Sequence, residues 1–203
     1  VQSLKRSKKL FGNKTSIYTG LLYLTAMFEQ QLGLKNDYII HSLEGLALAK
    51  DDLLNKGLFL VLQAGFHSDK KNYILAYEAA RESHEITMDN FSPRGGDYAY
   101  SSACISSTLL LNAEVYIKPL KDIDLSEVHR YCFDSNTINT PLAYMPLISI
   151  NMINEYLNIN DPKIFKISEK FINNPNINDE FKIDLIYYLN FSTFDNNKLE
   201  ILN

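Results

Sequence analysis

Residues 15–33 read TSIYTGLLYLTAMFEQQLG, a pattern typical of one amphipathic α-helix. Thr15 or Ser16 suits the residue that caps the helix N-terminus, and Gly33 suits the residue that follows its end. Large apolar side chains recur at intervals of four, three, four and four residues, at Ile17, Leu21, Leu24, Phe28 and Leu32. Since side chains at this spacing share one side of a helix, we expect these residues to form its buried stripe.

The sequence that follows repeats this pattern of short amphipathic helices. Asn36 or Asp37 caps a second helix, whose apolar residues are Ile40, Leu43, Ala47 and Leu48. Further helices are predicted at residues 53–64, 70–88, 98–111, 126–133, 141–157, 162–172 and 179–191. Short polar linkers join these helices, so chain neighbours are expected to pack antiparallel.

Two prolines and one extended stretch complete the secondary-structure prediction. Pro162 suits the first turn of its helix behind Asn160 or Asp161, whereas Pro146 is expected to kink or split the helix that contains it. Residues 115–117 read VYI, the one convincing extended stretch, and they are too few to found a sheet. We find no fixed-period repeat of the tetratricopeptide or HEAT kind. The predicted fold is therefore all-α, an irregular array of antiparallel helical hairpins that forms a bundle or a short α-solenoid.

Length and composition fit a single helical domain over residues 1–203. The hydrophobic share of 46% and the charged share of 22% argue against disorder. The net charge of -4 gives no reason to expect nucleic acid as a partner, because nucleic acid usually meets a basic surface. The basic segment 1–13 is expected at the periphery. Clustered lysines bind anionic lipid or nucleic acid, but a single short cluster is more often a solvated helix face, the interpretation we favour.

The cysteines and the hydropathy pattern favour a cytoplasmic protein. Cys104 and Cys132 both lie in apolar surroundings, so we predict two buried reduced thiols rather than a disulfide or a metal pair. No secretory signal is visible at the start, and no apolar run reaches the roughly 18 residues of a membrane span. We therefore predict a cytoplasmic chain with no membrane partner. The alternative is a mature secreted chain whose signal has been removed.

The sequence contains no recognisable catalytic or cofactor motif. His41 and Glu44 lie one helical turn apart, as metal ligands on a helix must, but the paired Glu-x-x-His motifs of di-iron bundles are missing. The loop 93–96 lacks the Lys-Ser/Thr ending of a P-loop, and Asp97 at the following cap would repel an anion. The G-x-S-x-G motif is also missing. We predict no metal, no cofactor and no enzymatic activity.

An acidic stripe with neighbouring tyrosines is the strongest local sign of a binding surface. Glu78, Glu82, Glu85 and Asp89 follow one another at intervals of four, three and four residues, which places them on one side of a helix. Like charges one turn apart repel, so a basic side chain of a neighbouring helix, solvent or a basic partner must offset them. Tyrosine is favoured at binding surfaces. The predicted partner-binding residues are Tyr77, Glu78, Glu82, Glu85, Asp89, Tyr98 and Tyr100.

The middle of the chain resembles a known class of immunity proteins. Residues 77–84 read YEAARESH, and after a short linker they are followed by the small-residue helix 98–111 and by residues 112–120, NAEVYIKPL. This succession is similar to the C-terminal portion of the Imm49 class of bacterial polymorphic-toxin immunity proteins. In that class a helix with a histidine precedes an Ala-rich helix and a V-x-V…Y-L-P-like segment. The resemblance implies an all-helical protein that neutralises a cognate toxin by binding it.

These observations give three hypotheses, in order of preference. The first is a non-catalytic immunity protein that binds a toxin. The acidic stripe indicates a basic toxin, because complementary charge speeds association. The second is a helical-repeat scaffold or adaptor that binds a peptide or protein partner. The third is an enzyme whose site forms only in the folded chain, with His41, Glu44 and His84 as candidate residues.

Overall fold

A computed structural model describes residues 2–12, 15–90, 92–133, 137–157, 159 and 161–191. This part of the chain contains ten α-helices and no β-strand, which confirms the predicted all-α class. The α-helices are α1 (Gln2–Phe11), α2 (Ser16–Gln31), α3 (Lys35–Leu48), α4 (Leu53–Asp69), α5 (Tyr73–Asp89), α6 (Gly96–Glu114), α7 (Ser126–Cys132), α8 (Tyr144–Tyr156), α9 (Pro162–Ile172) and α10 (Asp179–Phe191). Four short 3-10 helices lie between them, at Pro93–Gly95, Leu120–Asp122, Thr137–Asn139 and Pro141–Ala143.

Several helix ends lie where local sequence signals placed them. The Thr15 hydroxyl accepts a hydrogen bond from the backbone N–H of Tyr18 in the first turn of α2, and Gly33 beyond the helix end adopts a φ of 72°. This left-handed conformation suits glycine, which has no Cβ to clash. Asp161 caps α9 with its side chain, and Pro162 occupies the first turn.

Other predicted boundaries were wrong. Helix α3 begins at Lys35, ahead of the predicted caps, and α4 continues five residues past 64. Residues 115–117 form a turn after α6 rather than an extended stretch. Pro146 does not kink or split α8, because it lies in the first turn, where a backbone N–H has no partner within the helix. The predicted helix 141–157 instead changes from a 3-10 helix to an α-helix between Ala143 and Tyr144.

The chain groups into two compact units, Val1–Phe91 and Ser92–Asn203. We predicted a single domain over residues 1–203, with no boundary between Phe91 and Ser92, and this stays a prediction. In the first unit each helix contacts the next along the chain, and α2 also contacts α4. The buried core cluster of this unit consists of Leu4, Tyr18, Leu22, Ala26, Tyr38, Ala49, Phe59 and Leu62.

Helix α2 buries the side opposite to the one that we predicted. Tyr18, Leu22 and Ala26 lie in the core, whereas Ile17, Leu24, Phe28 and Leu32 are between 44% and 73% exposed. The predicted buried stripe is therefore wrong. Helix α2 has apolar residues on two sides, and the side with small Ala26 is the one that packs in the core, because a small side chain lets a neighbouring helix approach closely. Helix α3 shows the same reversal, since Ile40 and Leu43 are exposed while Tyr38 is buried.

The second unit is held by its own apolar core and by a disulfide. Ala143, Leu147, Ile148, Phe171, Ile177 and Leu185 form a core cluster from α8, α9, α10 and the loops beside them. Cys104 of α6 and Cys132 of α7 form a disulfide, with their Cα atoms 4.8 Å apart. The predicted pair of reduced thiols is therefore wrong. The packing of α6 on α7 brings the two cysteines within the range that a disulfide requires.

No helix within the described ranges combines the length and the apolar character needed to cross a membrane.

Candidate protein-binding surfaces

The acidic stripe, Glu78, Glu82, Glu85 and Asp89, lies along α5 in the first unit. Glu82 Oε1 lies 2.6 Å from Lys56 Nζ of α4, so a basic side chain of the neighbouring helix offsets this charge. Glu85 Oε1 lies 3.6 Å from Arg81 Nε one turn earlier. Glu78 and Asp89 are exposed and form no ion pair within the described part of the chain. Half of the stripe is thus already paired inside the protein.

The predicted tyrosines are divided between the two units. Tyr77 is half-buried on α5, and the Arg81 guanidinium carbon lies 5.8 Å from its ring centroid. Tyr100 belongs to α6 in the second unit, where its ring centroid lies 6.2 Å from that of Tyr131. The Tyr98 side chain lies outside the described residues. Only Tyr77 therefore joins the acidic stripe in the same unit.

The candidate enzyme residues are engaged in separate contacts. His41 Nδ1 lies 2.7 Å from Glu29 Oε2, which links α3 to α2. Glu44 accepts a hydrogen bond from the Tyr18 hydroxyl at 3.0 Å. The pKa of Tyr18 is raised mainly by burial and to a smaller extent by this hydrogen bond. His84 is buried on α5. Among the described residues, no three His, Cys, Asp or Glu side chains are grouped so that they could hold a metal ion.

A second surface, which we call the apolar face, lies on the α2–α3 hairpin. Leu24 follows buried Leu22 by two residues, and Ile40 follows buried Tyr38 by two. Two residues turn a helix by about 200°, so on both helices the exposed residues point away from the core that they share with α4. The exposed residues of the face are Ile17, Leu24, Phe28, Leu32, Leu34, Ile40 and Leu43. All seven are large apolar residues of α2, of α3 or of the turn between these helices.

Helix α1 covers one end of this hairpin. Lys8 Nζ lies 5.6 Å from the Tyr18 ring centroid on α2 and 3.6 Å from Glu44 Oε1 on α3. Leu4, one turn earlier, is buried in the core cluster. The remaining basic residues of α1, Lys5, Arg6 and Lys9, are exposed, as expected for a solvated helix face. Helix α1 is thus an amphipathic helix that rests on both helices of the hairpin.

Sequence reasoning recognised the apolar residues of α2 but assigned them to the core. One signal in the sequence points to the correct arrangement. Between Thr15 and Gly33 the only charged side chain is Glu29, so α2 has no charged side to turn towards solvent. A helix that is apolar on nearly all sides is expected to be covered on nearly all sides. Here Glu29 itself is buried, and an apolar side is left open.

Comparison of the chain with protein-family models, with curated proteins and with solved structures gave no match.

Proposed function

We propose that this chain is a non-catalytic protein-binding protein that neutralises a cognate toxin by direct contact. The observation that supports binding is the apolar face, where seven large apolar side chains of the α2–α3 hairpin stay exposed. Monomeric proteins rarely leave a continuous apolar surface open, and such surfaces commonly mark sites of interaction with a partner. Buried apolar area is also what supplies most of the favourable free energy of association.

The proposal of a toxin as the partner depends on two further observations. The first is the resemblance of residues 77–120 to the Imm49 class of immunity proteins. The second is the acidic stripe, where Glu78 and Asp89 have no internal ion partner among the described residues. Charges at the rim of an interface mainly speed association and select against wrong partners. A basic toxin is the partner that such charges favour.

The compartment is part of the same proposal. We propose a cytoplasmic location, as expected for an immunity protein that meets a toxin inside the cell. The disulfide between Cys104 and Cys132 counts against this location, because disulfides are rare in the reducing cytoplasm. An oxidising compartment is therefore the alternative location for the same binding function.

A helical scaffold is the second candidate function. In its favour, α1 to α5 contact one another in chain order, as the helices of a solenoid do. A scaffold would use the same apolar face. Its partner, unlike the toxin of an immunity protein, would not arrest growth when expressed alone.

Affinity capture with paired variants tests the binding proposal. The tagged chain is used to recover partners from its native cells, and the affinity for the recovered partner is then measured for three proteins. These are the wild type, a Phe28→Gln/Leu32→Gln variant of the apolar face, and an Ile183→Gln/Tyr187→Gln control. Both pairs are exposed and four residues apart, so the control matches the change in surface character. We expect the face variant to bind at least about tenfold more weakly and the control to bind like the wild type.

Equal affinity of the face variant and the wild type would remove the apolar face from the proposal. Growth measurements then separate the two candidate functions. The partner expressed alone should arrest growth, and co-expression of the wild-type chain should restore it. A partner without effect on growth would contradict toxin neutralisation and favour the scaffold.

A further inference from the structure

We propose that one end of the first unit is a contact surface for anionic lipid membranes. In this contact, basic residues of α1 meet the lipid headgroups, and exposed leucines enter the boundary between headgroups and acyl chains. The contact is peripheral and is separate from the proposed binding of a protein partner. From the sequence alone we favoured a solvated face for residues 1–13, and the fold adds exposed leucines of α4 at the same end.

The end of α1, the start of α2 and the start of α4 lie together. The Thr15 hydroxyl, which caps α2, donates to the Gly12 carbonyl just beyond the end of α1, at 3.5 Å. In the first turn of α4, the Asn55 side chain donates at 3.3 Å to the hydroxyl of Thr19, in the first turn of α2. The α1–α2 turn and the α3–α4 turn are therefore at the same end of this unit.

Large apolar side chains are exposed at both of these turns. Leu10 and Phe11 are the last two residues of α1, and Leu53 and Leu54 are the first two residues of α4. All four side chains belong to residues that are between 49% and 64% exposed. Burial of such side chains at the acyl boundary is favourable, and a bilayer needs no preformed pocket to take up side chains from two separate turns.

The exposed side of α1 is basic. Lys5, Arg6 and Lys9 are exposed, and a helix that turns by about 100° per residue places all three within an arc of about 100°. Leu4 and Ser7, which are buried, lie on the opposite side of the helix. Within the described part of the chain, none of the three basic side chains forms an ion pair. Their charges are therefore available to a partner outside the chain.

Positive charge is in excess at this end, although the chain as a whole has a net charge of -4. Lys50 in the α3–α4 turn is exposed and adds to the basic residues of α1, while exposed Asp51 beside it opposes them. Two further acidic groups nearby are engaged within the unit, since Asp52 caps α4 and Glu44 pairs with Lys8. An anionic membrane surface is a partner that this excess favours.

Lipid fits this end better than nucleic acid, the other polyanion that basic residues bind. Nucleic acid is held by basic side chains at its phosphates and by polar or aromatic side chains at its bases. Leu10, Leu53 and Leu54 can form neither hydrogen bonds nor stacked contacts with bases. In a bilayer the same leucines are buried beside acyl chains, while the neighbouring lysines stay at the headgroups.

Vesicle binding by the full chain tests this inference. Co-sedimentation at low salt gives the affinity for vesicles of phosphatidylcholine alone and for vesicles that contain about one third phosphatidylglycerol. We expect binding to the anionic vesicles only, because the basic residues need anionic headgroups. The affinity should be at least about tenfold weaker for two variants, Lys5→Gln/Arg6→Gln/Lys9→Gln and Leu53→Gln/Leu54→Gln.

Helix α9 provides the matched control for the basic residues. Lys163, Lys166 and Lys170 are exposed there at intervals of three and four residues, but α9 has no exposed large apolar residue. The variant Lys163→Gln/Lys166→Gln/Lys170→Gln removes the same amount of charge from the chain. It should bind the anionic vesicles like the wild type.

A tryptophan at the proposed contact reports insertion directly. The chain contains no tryptophan, so Leu54→Trp provides a single indole fluorophore. Its emission should shift to shorter wavelength when anionic vesicles are added, because the indole ring leaves water for the membrane interface. Tyr187→Trp, at an exposed position of α10, is the control and should show no shift.

Several outcomes would overturn the inference. These are equal binding to the two kinds of vesicle, no binding to either, and an equal loss of binding in the α9 control. Fluorescence anisotropy with a labelled DNA duplex tests the other polyanion. Duplex binding that is lost in the α1 variant but kept in Leu53→Gln/Leu54→Gln would assign this end to nucleic acid instead of lipid. Capture of a protein partner tests the proposed function separately and is unaffected by these results.

Discussion

Replacement of Cys104 and Cys132 by alanine is expected to lower the free energy of unfolding by about 3 to 4 kcal/mol. The disulfide joins residues 28 apart in the sequence, and closing a loop of this length restricts the unfolded chain by about that free energy. Both cysteines are fully buried, so alanine fits their apolar surroundings without introducing a polar group. Urea unfolding of the wild type and of the Cys104→Ala/Cys132→Ala variant, with and without reductant, measures the effect.

Reductant provides the control for this prediction. Reductant should lower the urea midpoint of unfolding of the wild type nearly to that of the variant, and it should leave the midpoint of the variant unchanged. A wild type that reductant does not affect would show that the disulfide contributes no stability. The result also bears on the compartment, because a chain that needs this bond would be weakened in a reducing cytoplasm.

Gly45→Ala is expected to destabilise the chain by about 3 kcal/mol, the upper part of the range for overpacked cores. A Cβ at Gly45 of α3 would overlap the ring of Phe59 from α4. This ring is completely buried in the first core cluster and meets Tyr23 edge-on, with centroids 5.9 Å apart. The ring therefore cannot move aside without disturbing the packing of α2, α3 and α4. Thermal or urea unfolding gives the magnitude.

Gly20→Ala is the matched control for this substitution. Gly20 also lies within a helix, but a Cβ there would meet nothing within 4 Å. The change should raise the free energy of unfolding by up to about 1 kcal/mol, because alanine loses less backbone entropy than glycine in a helix. In the double variant Gly45→Ala/Phe59→Leu, the smaller side chain should recover part of the loss. Similar stabilities for Gly45→Ala and Gly20→Ala would contradict the close α3–α4 contact.

Some helix ends were predicted correctly from neighbouring residues, while those of α3 and α4 were not. The helices predicted at 162–172 and 179–191 have those bounds, and α9 begins there because Asp161 caps it and Pro162 suits its first turn. The start and end of α2 were also correct, since the Thr15 hydroxyl and the left-handed Gly33 act within one helical turn. Such signals are local, so no knowledge of the tertiary fold is required to interpret them.

Features that depend on packing between helices were not predictable in this way. Periodicity showed that Ile17, Leu24 and Phe28 share one side of α2, but it did not show which of two apolar sides meets α4. The Cys104–Cys132 disulfide depends on how α6 lies against α7, which the spacing of the cysteines does not specify.

The same limit applied to the candidate site. The spacing of the acidic residues correctly placed them on one helix, but the Lys56–Glu82 ion pair joins two helices and is visible only in the fold. The apolar face was missed because its residues were assigned to the core. The near absence of charge in α2 was the signal that this helix has more apolar surface than the core alone covers.

Hydroxyl-radical footprinting of the side chains tests the central claim most directly. The chain is oxidised alone and in complex with its captured partner, and mass spectrometry gives the oxidation rate at each residue. We predict that Phe28, Leu32 and Ile40 are oxidised readily in the free chain and are protected in the complex, while Ile183 and Tyr187 react equally in both. Unchanged oxidation of Phe28, Leu32 and Ile40 on binding would show that the partner docks elsewhere, and the account of the apolar face would be wrong.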